Sequence, residues 1–364
     1  MTESDRTHGR RRLVVRRIVQ GLVSVAVVVG IFVGVLPRIA DYSDVWATIG
    51  DMTWLELVTL LGVGIWNLVT YWFVLVAVLP GLTYPQAAVV NQASTAISNT
   101  LPGGGAIGVG VTYAMYSSWG FGSAEITRSI VLSGIWNNFI KLGLPLLALP
   151  LLAFQEQVSA AWVTASLIGV AVLVAVIVLF WLMVRSDALA VRVGHVVGKV
   201  VSALRRLVRR PAVLDWDDRA RRFRRQTSGL LSHRWHWLTL SALVSHLSLF
   251  LVLLIALRHV GVSEAEVGWV RVLAAFAFVR LISALPITPG GLGVVELGYA
   301  AALSIGVDEA TRAQIVAAIL VFRSITYFLP IPLGAGAYVY WRRHSAWRVA
   351  RAGDSADAAA EVGS

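Results

Sequence analysis

Cysteine is absent from all 364 residues, so neither disulfides nor thiolate metal sites are available. Charge is scarce too: Asp, Glu, Lys and Arg make up 14% of the chain against 57% hydrophobic residues. A soluble domain of this length needs far more polar surface over its core. No HExxH, GxSxG or Walker A pattern occurs. We therefore expect no enzyme, no resident cofactor or metal, and no self-powered pump.

Long apolar runs are what the chain has instead. Several exceed the roughly 18 residues needed to cross a hydrocarbon core. They are continuous rather than alternating, which argues against a β-barrel. The reading is an all-α polytopic membrane protein. Six full spans are expected at about 18–36, 53–79, 126–154, 159–184, 236–258 and 312–340. Two further segments, 86–118 and 267–305, each hold two short arms around a Pro-Gly-Gly turn. Arms of roughly 14–18 residues, at about 1.5 Å per residue, cross a bilayer poorly. They are read as two re-entrant helical hairpins, with full spans joined by a loop as the alternative.

The net charge of +11 does not imply nucleic acid. Arginine concentrates in the N-terminal tail (Arg10, Arg11, Arg12, Arg16, Arg17), in the loop 185–235, and near the C-terminus (Arg342, Arg343, Arg348, Arg351). That is the positive-inside pattern. It predicts an inner-membrane protein with both termini cytoplasmic. The predicted organisation is a basic tail 1–17, a membrane domain 18–341 and a disordered cytoplasmic tail 342–364. Within the membrane domain lie repeat one (53–154), a cytoplasmic basic loop (185–235) and repeat two (236–341).

The two hairpins match each other. "ISNTLPGGGAIGVGVTYAMYSSWG" (97–120) pairs with "ISALPITPGGLGVVELGYAAALSIG" (282–306). Acidic residues follow both, Glu125 and then Asp308 with Glu309, and so do Thr127-Arg128 and Thr311-Arg312. A proline lies 43 residues beyond each hairpin proline, Pro145 after Pro102 and Pro332 after Pro289. The crossing count sets the two units in opposite orientations, an inverted-topology repeat.

Backbone freed by a break inside the bilayer must be buried in protein or line a wet cavity. The arm after each break starts a helix whose first N–H groups lack partners, a setting suited to a phosphate. The candidate binding residues at the breaks are Pro102, Gly103, Gly104, Gly105, Pro289, Gly290, Gly291 and Gly293. The alternative is that the glycines serve only close helix packing. Glu296 follows the second break, either as a dipole-favoured carboxylate or as a group that titrates or binds a cation. Arg280 and Arg323 lie at membrane depth, where each costs roughly 2.5–3.5 kcal/mol unless it faces the interior or a cavity. Asn137 and Lys141 share a helix face, and Asn91 and Asn99 lie on the first arm. Together these could build a polar chamber.

The segment "RLISALPITPGGLGVVELGYAAAL" resembles the membrane-domain family of lysylphosphatidylglycerol synthetases, whose stand-alone members are called flippase-like proteins. Arg280, Pro286, Pro289, Gly290, Gly291, Gly293 and Glu296 carry that resemblance. Arg323 in "FRSITYFLPIPLG" looks like the family's last-span arginine, and "LPGGGAIGVG" is similar to its first-half motif. Thr112 and Tyr113 stand where an arginine is often expected. The resemblance implies translocation of a phospholipid or a polyprenyl-phosphate-linked head group. The short polar ending leads us to expect the membrane part alone rather than a full synthetase. The other function carried forward is a non-transporting scaffold for a separate glycosyltransferase or lipid-modifying enzyme.

Overall fold

The computed structural model describes residues 41–101, 103–155, 160–189, 216–283 and 288–344, together with Val33, Trp347 and a few positions between 191 and 198. The expected first span at 18–36 and the basic tail 1–17 lie outside these residues apart from Val33, as does most of the expected tail 342–364, although its first two residues, Arg342 and Arg343, belong to the last helix rather than to a disordered segment.

All regular structure among the described residues is helical. In chain order the helices are α1 (Tyr42–Gly50), α2 (Trp54–Val78), α3 (Tyr84–Thr100), α4 (Gly104–Ser118), α5 (Ser123–Gln155), α6 (Ala160–Arg185), α7 (Trp216–His259), α8 (Trp269–Ile282), α9 (Val294–Leu303), α10 (Glu309–Arg323) and α11 (Pro330–Arg343). A 3-10 turn at Pro289–Gly291 precedes α9, and a π-helical turn at Ser324–Phe328 joins α10 to α11. Four helical stretches are long and apolar enough to cross a membrane: Trp54–Val78, Ser123–Leu152, Arg221–His259 and Glu309–Arg343. The protein is a multi-pass membrane protein. Its outer faces agree, for Leu57, Val58, Leu61 and Ile65 on α2 and Ile177, Val178 and Leu179 on α6 are all exposed.

Helix starts follow the local chemistry. Thr53 and Glu56 form a capping box on α2, as Thr83 and Gln86 do on α3, where Pro85 also fits the first turn. Asp308 caps α10 by accepting from the Thr311 amide at 2.7 Å. That hydrogen bonding holds the Asp308 carboxyl below its ordinary range.

Two sequence expectations change here. The basic segment 185–235 is not wholly a loop, because residues from Trp216 onward are the start of α7. Arginine is a good helix former, and no proline follows Pro211 in that segment. At 44 residues α7 is about 66 Å long, roughly twice a hydrocarbon core. The last span is also not one uniform helix, since the π turn interrupts it just before Pro330 and Pro332.

Contacts between helix ends sort the molecule into two poles. At one, the His259 ring meets the Glu56 carbonyl, Thr311 donates to Glu266 at 3.0 Å, and Arg271 bonds the carbonyls of Leu303 and Ile305. This acidic pole carries Asp51, Glu56, Glu264, Glu266, Asp308 and Glu309. At the other, Trp341 Nε1 donates to Ser118 Oγ at 3.0 Å, and Arg234 reaches the Val76 carbonyl at 3.4 Å. This basic pole carries the arginines of early α7 and the pair Arg342 and Arg343.

The α3–α4 hairpin has its base at the basic pole and the α8–α9 hairpin has its base at the acidic pole. In both, the arms pack on one another. Helix α11 lies along α3, where Gly334 is required, since a Cβ there would overlap the Gln92 carbonyl and Ala96. Helix α2 packs on α7, pinned by Asn67 Nδ2 donating to Ser248 Oγ at 2.7 Å.

Candidate functional site

The tips of the two hairpins meet. Asn99, near the end of α3, donates from Nδ2 to the Tyr327 carbonyl at 3.2 Å, and Tyr327 Oη donates to the Asn99 carbonyl at 2.6 Å. Tyr327 lies in the π turn, and its ring lies 4.4 Å from the Arg323 guanidinium. Arg323 in turn donates from Nε to Glu296 Oε1 at 2.6 Å and from Nη2 to the Gly290 carbonyl at 3.2 Å. One chain of contacts therefore runs from the second break, through the end of α10, to the first tip.

Glu296 and Arg323 are 1% and 7% exposed. Neither charge is tolerable there alone, so the pair is mutually required. To the readings open for Glu296 the contact adds a third, a partner for Arg323 through Oε1. The Glu296 Oε2 is buried without a hydrogen-bond partner. The two stand 27 positions apart on different helices, so no helical spacing links them and the pairing was not visible in the sequence. The available signal was opposite charge at similar depth in adjoining apolar segments.

Gly290, Gly291 and Gly293 have φ of 57°, 71° and 83°. The left-handed backbone at these three positions turns the chain between α8 and α9 at little cost only in glycine. No side chain caps α9 at Gly293. Pro289 opens the 3-10 turn.

At the first tip Pro102 lies outside the described residues. Gly103 has φ 69° and open space around it, and Gly105 is exposed. Gly104 serves packing, because a Cβ there would overlap the Ile97 carbonyl, and Gly108 sits equally close to Ser94 and Ser98. The arms thus meet on small residues spaced four apart, a recurrent membrane packing device.

The other predicted cations are placed differently from Arg323. Arg280, in the last turn of α8, is half-buried, and its Nε is buried with no hydrogen-bond partner. Lys141 on α5 is also half-buried. Helices α5 and α8 pack together, and the Arg280 charge is felt at both Lys141 and His246. No carboxylate among the described residues pairs with Arg280 or Lys141. Asn137, one turn before Lys141, makes no hydrogen bond within the described residues. His246 Nδ1 bonds the Ala242 carbonyl at 2.9 Å, and its Nε2 is buried and unpartnered. Arg280 and Lys141 thus lie on two packed helices, near enough to interact, with no carboxylate paired to either among the described residues.

Sequence reasoning did not find Tyr71, Tyr116 or Tyr299. Tyr71 and Tyr299 feel the Arg280 charge. Tyr116 sits deep in the first hairpin, its hydroxyl without a partner. Tyrosines in apolar helices read as core, so nothing in the pattern set these apart.

No curated protein matches the chain. A family model does, that of the lysylphosphatidylglycerol synthase TM region, over residues 21–334. That match covers most of the 364 residues, so the chain belongs to the lysylphosphatidylglycerol synthase TM region family.

Proposed function

We propose that the protein is a lipid flippase of the cytoplasmic membrane, moving a phospholipid or polyprenyl-phosphate-linked head group between leaflets. The observation that carries this reading is the uncompensated pair Arg280 and Lys141 beside the meeting point of the hairpins. An unpaired, half-buried cation at membrane depth is costly. A phosphate entering that space would remove the cost and take up the free donors.

The reading includes two re-entrant hairpins in an inverted repeat. Its support is that the hairpin bases lie at opposite poles while Asn99, Gly290 and Tyr327 bring the tips together. Tips entering from opposite surfaces and touching must lie well inside the membrane. The basic pole, with Arg234, Arg342 and Arg343, is assigned to the cytoplasm. No chemical step is assigned to the protein itself.

The test is reconstitution into liposomes with a fluorescent phosphatidylglycerol or a short phosphoprenol sugar. Wild-type protein is expected to equilibrate the probe between leaflets, and Arg280→Gln to slow it at least tenfold while folding normally in detergent. Equal inactivity of both, with a separate glycosyltransferase or lipid-modifying enzyme depending on the protein for its membrane activity, favours the scaffold reading instead. Depth is tested with single cysteines at Gly105 and Leu292, read by an impermeant maleimide. Both are expected to react far more slowly than a cysteine at Asp51, and fast labelling of both tips removes the re-entrant assignment.

A further inference from the structure

A half-open cavity of about 200 Å³ lies in the first half of the molecule, between α2, α3, α4 and α5. This is more than ten times the roughly 10–15 Å³ that one water requires. Its polar lining is Tyr71, Asn91, Ser94, Thr112, Tyr116 and Ser133, and none of these is ionised at neutral pH. Ser94 and Ser133 are already bonded to carbonyls of their own helices. The other four are not so occupied. Tyr116 is 1% exposed and its hydroxyl has no partner. The side chains of Tyr71, Asn91 and Thr112 make no hydrogen bond within the described residues. The Tyr116 hydroxyl is buried without a partner, and Tyr71, Asn91 and Thr112 present unbonded polar groups to the same space, a setting that suits a ligand supplying both donors and acceptors.

The cationic region follows the cavity along one face of α5. On α5, Ile130 and Gly134 line the cavity, and Asn137 and Lys141 follow at spacings of three and four on the same face. Tyr71 lines it while also lying within reach of the Arg280 charge. A molecule with its anion at Arg280 and Lys141 can therefore place an adjoining group among the hydroxyls.

What is missing matters equally. Glu296 is the only buried carboxylate among the described residues, and Arg323 occupies it. Nothing there can neutralise an ammonium group, and Arg280 and Lys141 would repel one. We propose that this chain selects an anionic lipid phosphate carrying an uncharged polyol, a glycerol or a sugar, and discriminates against aminoacylated, cationic head groups. The proposal rests on the flippase reading of the same site and adds its substrate class.

The experiment measures binding to the full chain in detergent, with short-chain phosphatidic acid, phosphatidylglycerol, lysylphosphatidylglycerol and a short phosphoprenol hexose as probes. Wild type is expected to bind phosphatidylglycerol or the phosphoprenol hexose at least tenfold more tightly than the lysylated lipid. The stronger of the two preferred ligands identifies glycerol or sugar as the natural polyol. Tyr116→Phe and Thr112→Val, each checked for an unchanged melting temperature, are expected to lose several-fold of that preference and to leave phosphatidic acid binding intact. Arg280→Gln is expected to weaken every anionic probe together. Lysylphosphatidylglycerol bound as tightly as phosphatidylglycerol, or an unaltered polyol preference in both hydroxyl variants, overturns the proposal. In either case phosphatidic acid binding that still depends on Arg280 leaves the flippase reading standing, whereas no anionic binding by wild type removes both.

Discussion

The second arm of the first hairpin, α4, buries four of its 15 residues, while its counterpart α9 buries five of ten. The first arm faces outward with Ile107, Val109 and Tyr113 and is held by small-residue contacts to α3. The second arm is held by an ion pair to α10 and by the Tyr299 ring against Phe322, centroids 5.8 Å apart. Similar Pro-Gly-Gly motifs have thus been given unlike surroundings. Elements with few buried contacts open at the least free-energy cost. If one hairpin shifts during transport, the difference names α4 as the more mobile arm and α9 as the fixed one. The asymmetry extends to polar groups: Arg280, Glu296 and Arg323 surround the second hairpin, and Asn91, Thr112 and Tyr116 line the first.

The comparison breaks most visibly at the ion pair. Arg323→Ala strands the Glu296 carboxylate and should cost about 3–5 kcal/mol, read as a large fall in melting temperature in detergent. The double variant Arg323→Met with Glu296→Leu should recover much of that loss. A double variant as unstable as the single one would show that the pair does not hold the second hairpin. Next in size is the contrast between glycines. Gly290→Ala would drive a Cβ into the Tyr327 ring at a positive φ and should cost about 1–3 kcal/mol. Gly103→Ala meets open space and should cost only about 1 kcal/mol for its backbone. Equal losses at the two would erase the proposed difference between the tips.

Smaller still is the effect of Lys141→Gln. It removes one of two like charges, so the melting temperature should rise by about 1–3 °C while anionic lipid transport falls. A lower melting temperature would mean that Lys141 has a carboxylate partner after all. The smallest effect concerns pH. Hydrogen bonds from Thr311 hold the Asp308 carboxyl low, and those from Ser263 do the same for Glu266. Depressed carboxylates stabilise the fold above their unfolded values and lose that contribution as pH falls through the folded ones. Acidification below about pH 5 should therefore lower amide protection, relative to the intrinsic exchange rate, at the start of α10 and leave the protection of α3, capped by the neutral Thr83 and Gln86, unchanged.

Much of this architecture was legible in the chain because apolar length and breaks are local properties. The run 53–79 and the helix Trp54–Val78 differ by a residue at either end, for Thr53 with Glu56 is a start signal that needs no tertiary context. The continuation of α7 to Trp216 was missed because its arginines read as a solvated loop, although they also favour helix. Arg280 stood out because a guanidinium in an apolar run demands an explanation. Its nearness to Lys141 did not, since about 140 residues separate them and only the packing of α5 on α8 unites them. Of the cavity's polar lining only Asn91 and Thr112 stood out in the sequence: Tyr71 and Tyr116 are common in apolar helices, and the lack of partners is a property of the folded state alone.

The wide turn at Ser324–Phe328 holds one residue more than an α-helical register would. One residue corresponds to a rotation of about 100° around the axis. Excising it would swing Gly334 off the Gln92 carbonyl and present a bulkier neighbour to α3. The seam between the last helix and the first hairpin is thus phased by a single surplus amino acid, located within five positions of the guanidinium that secures the opposite half.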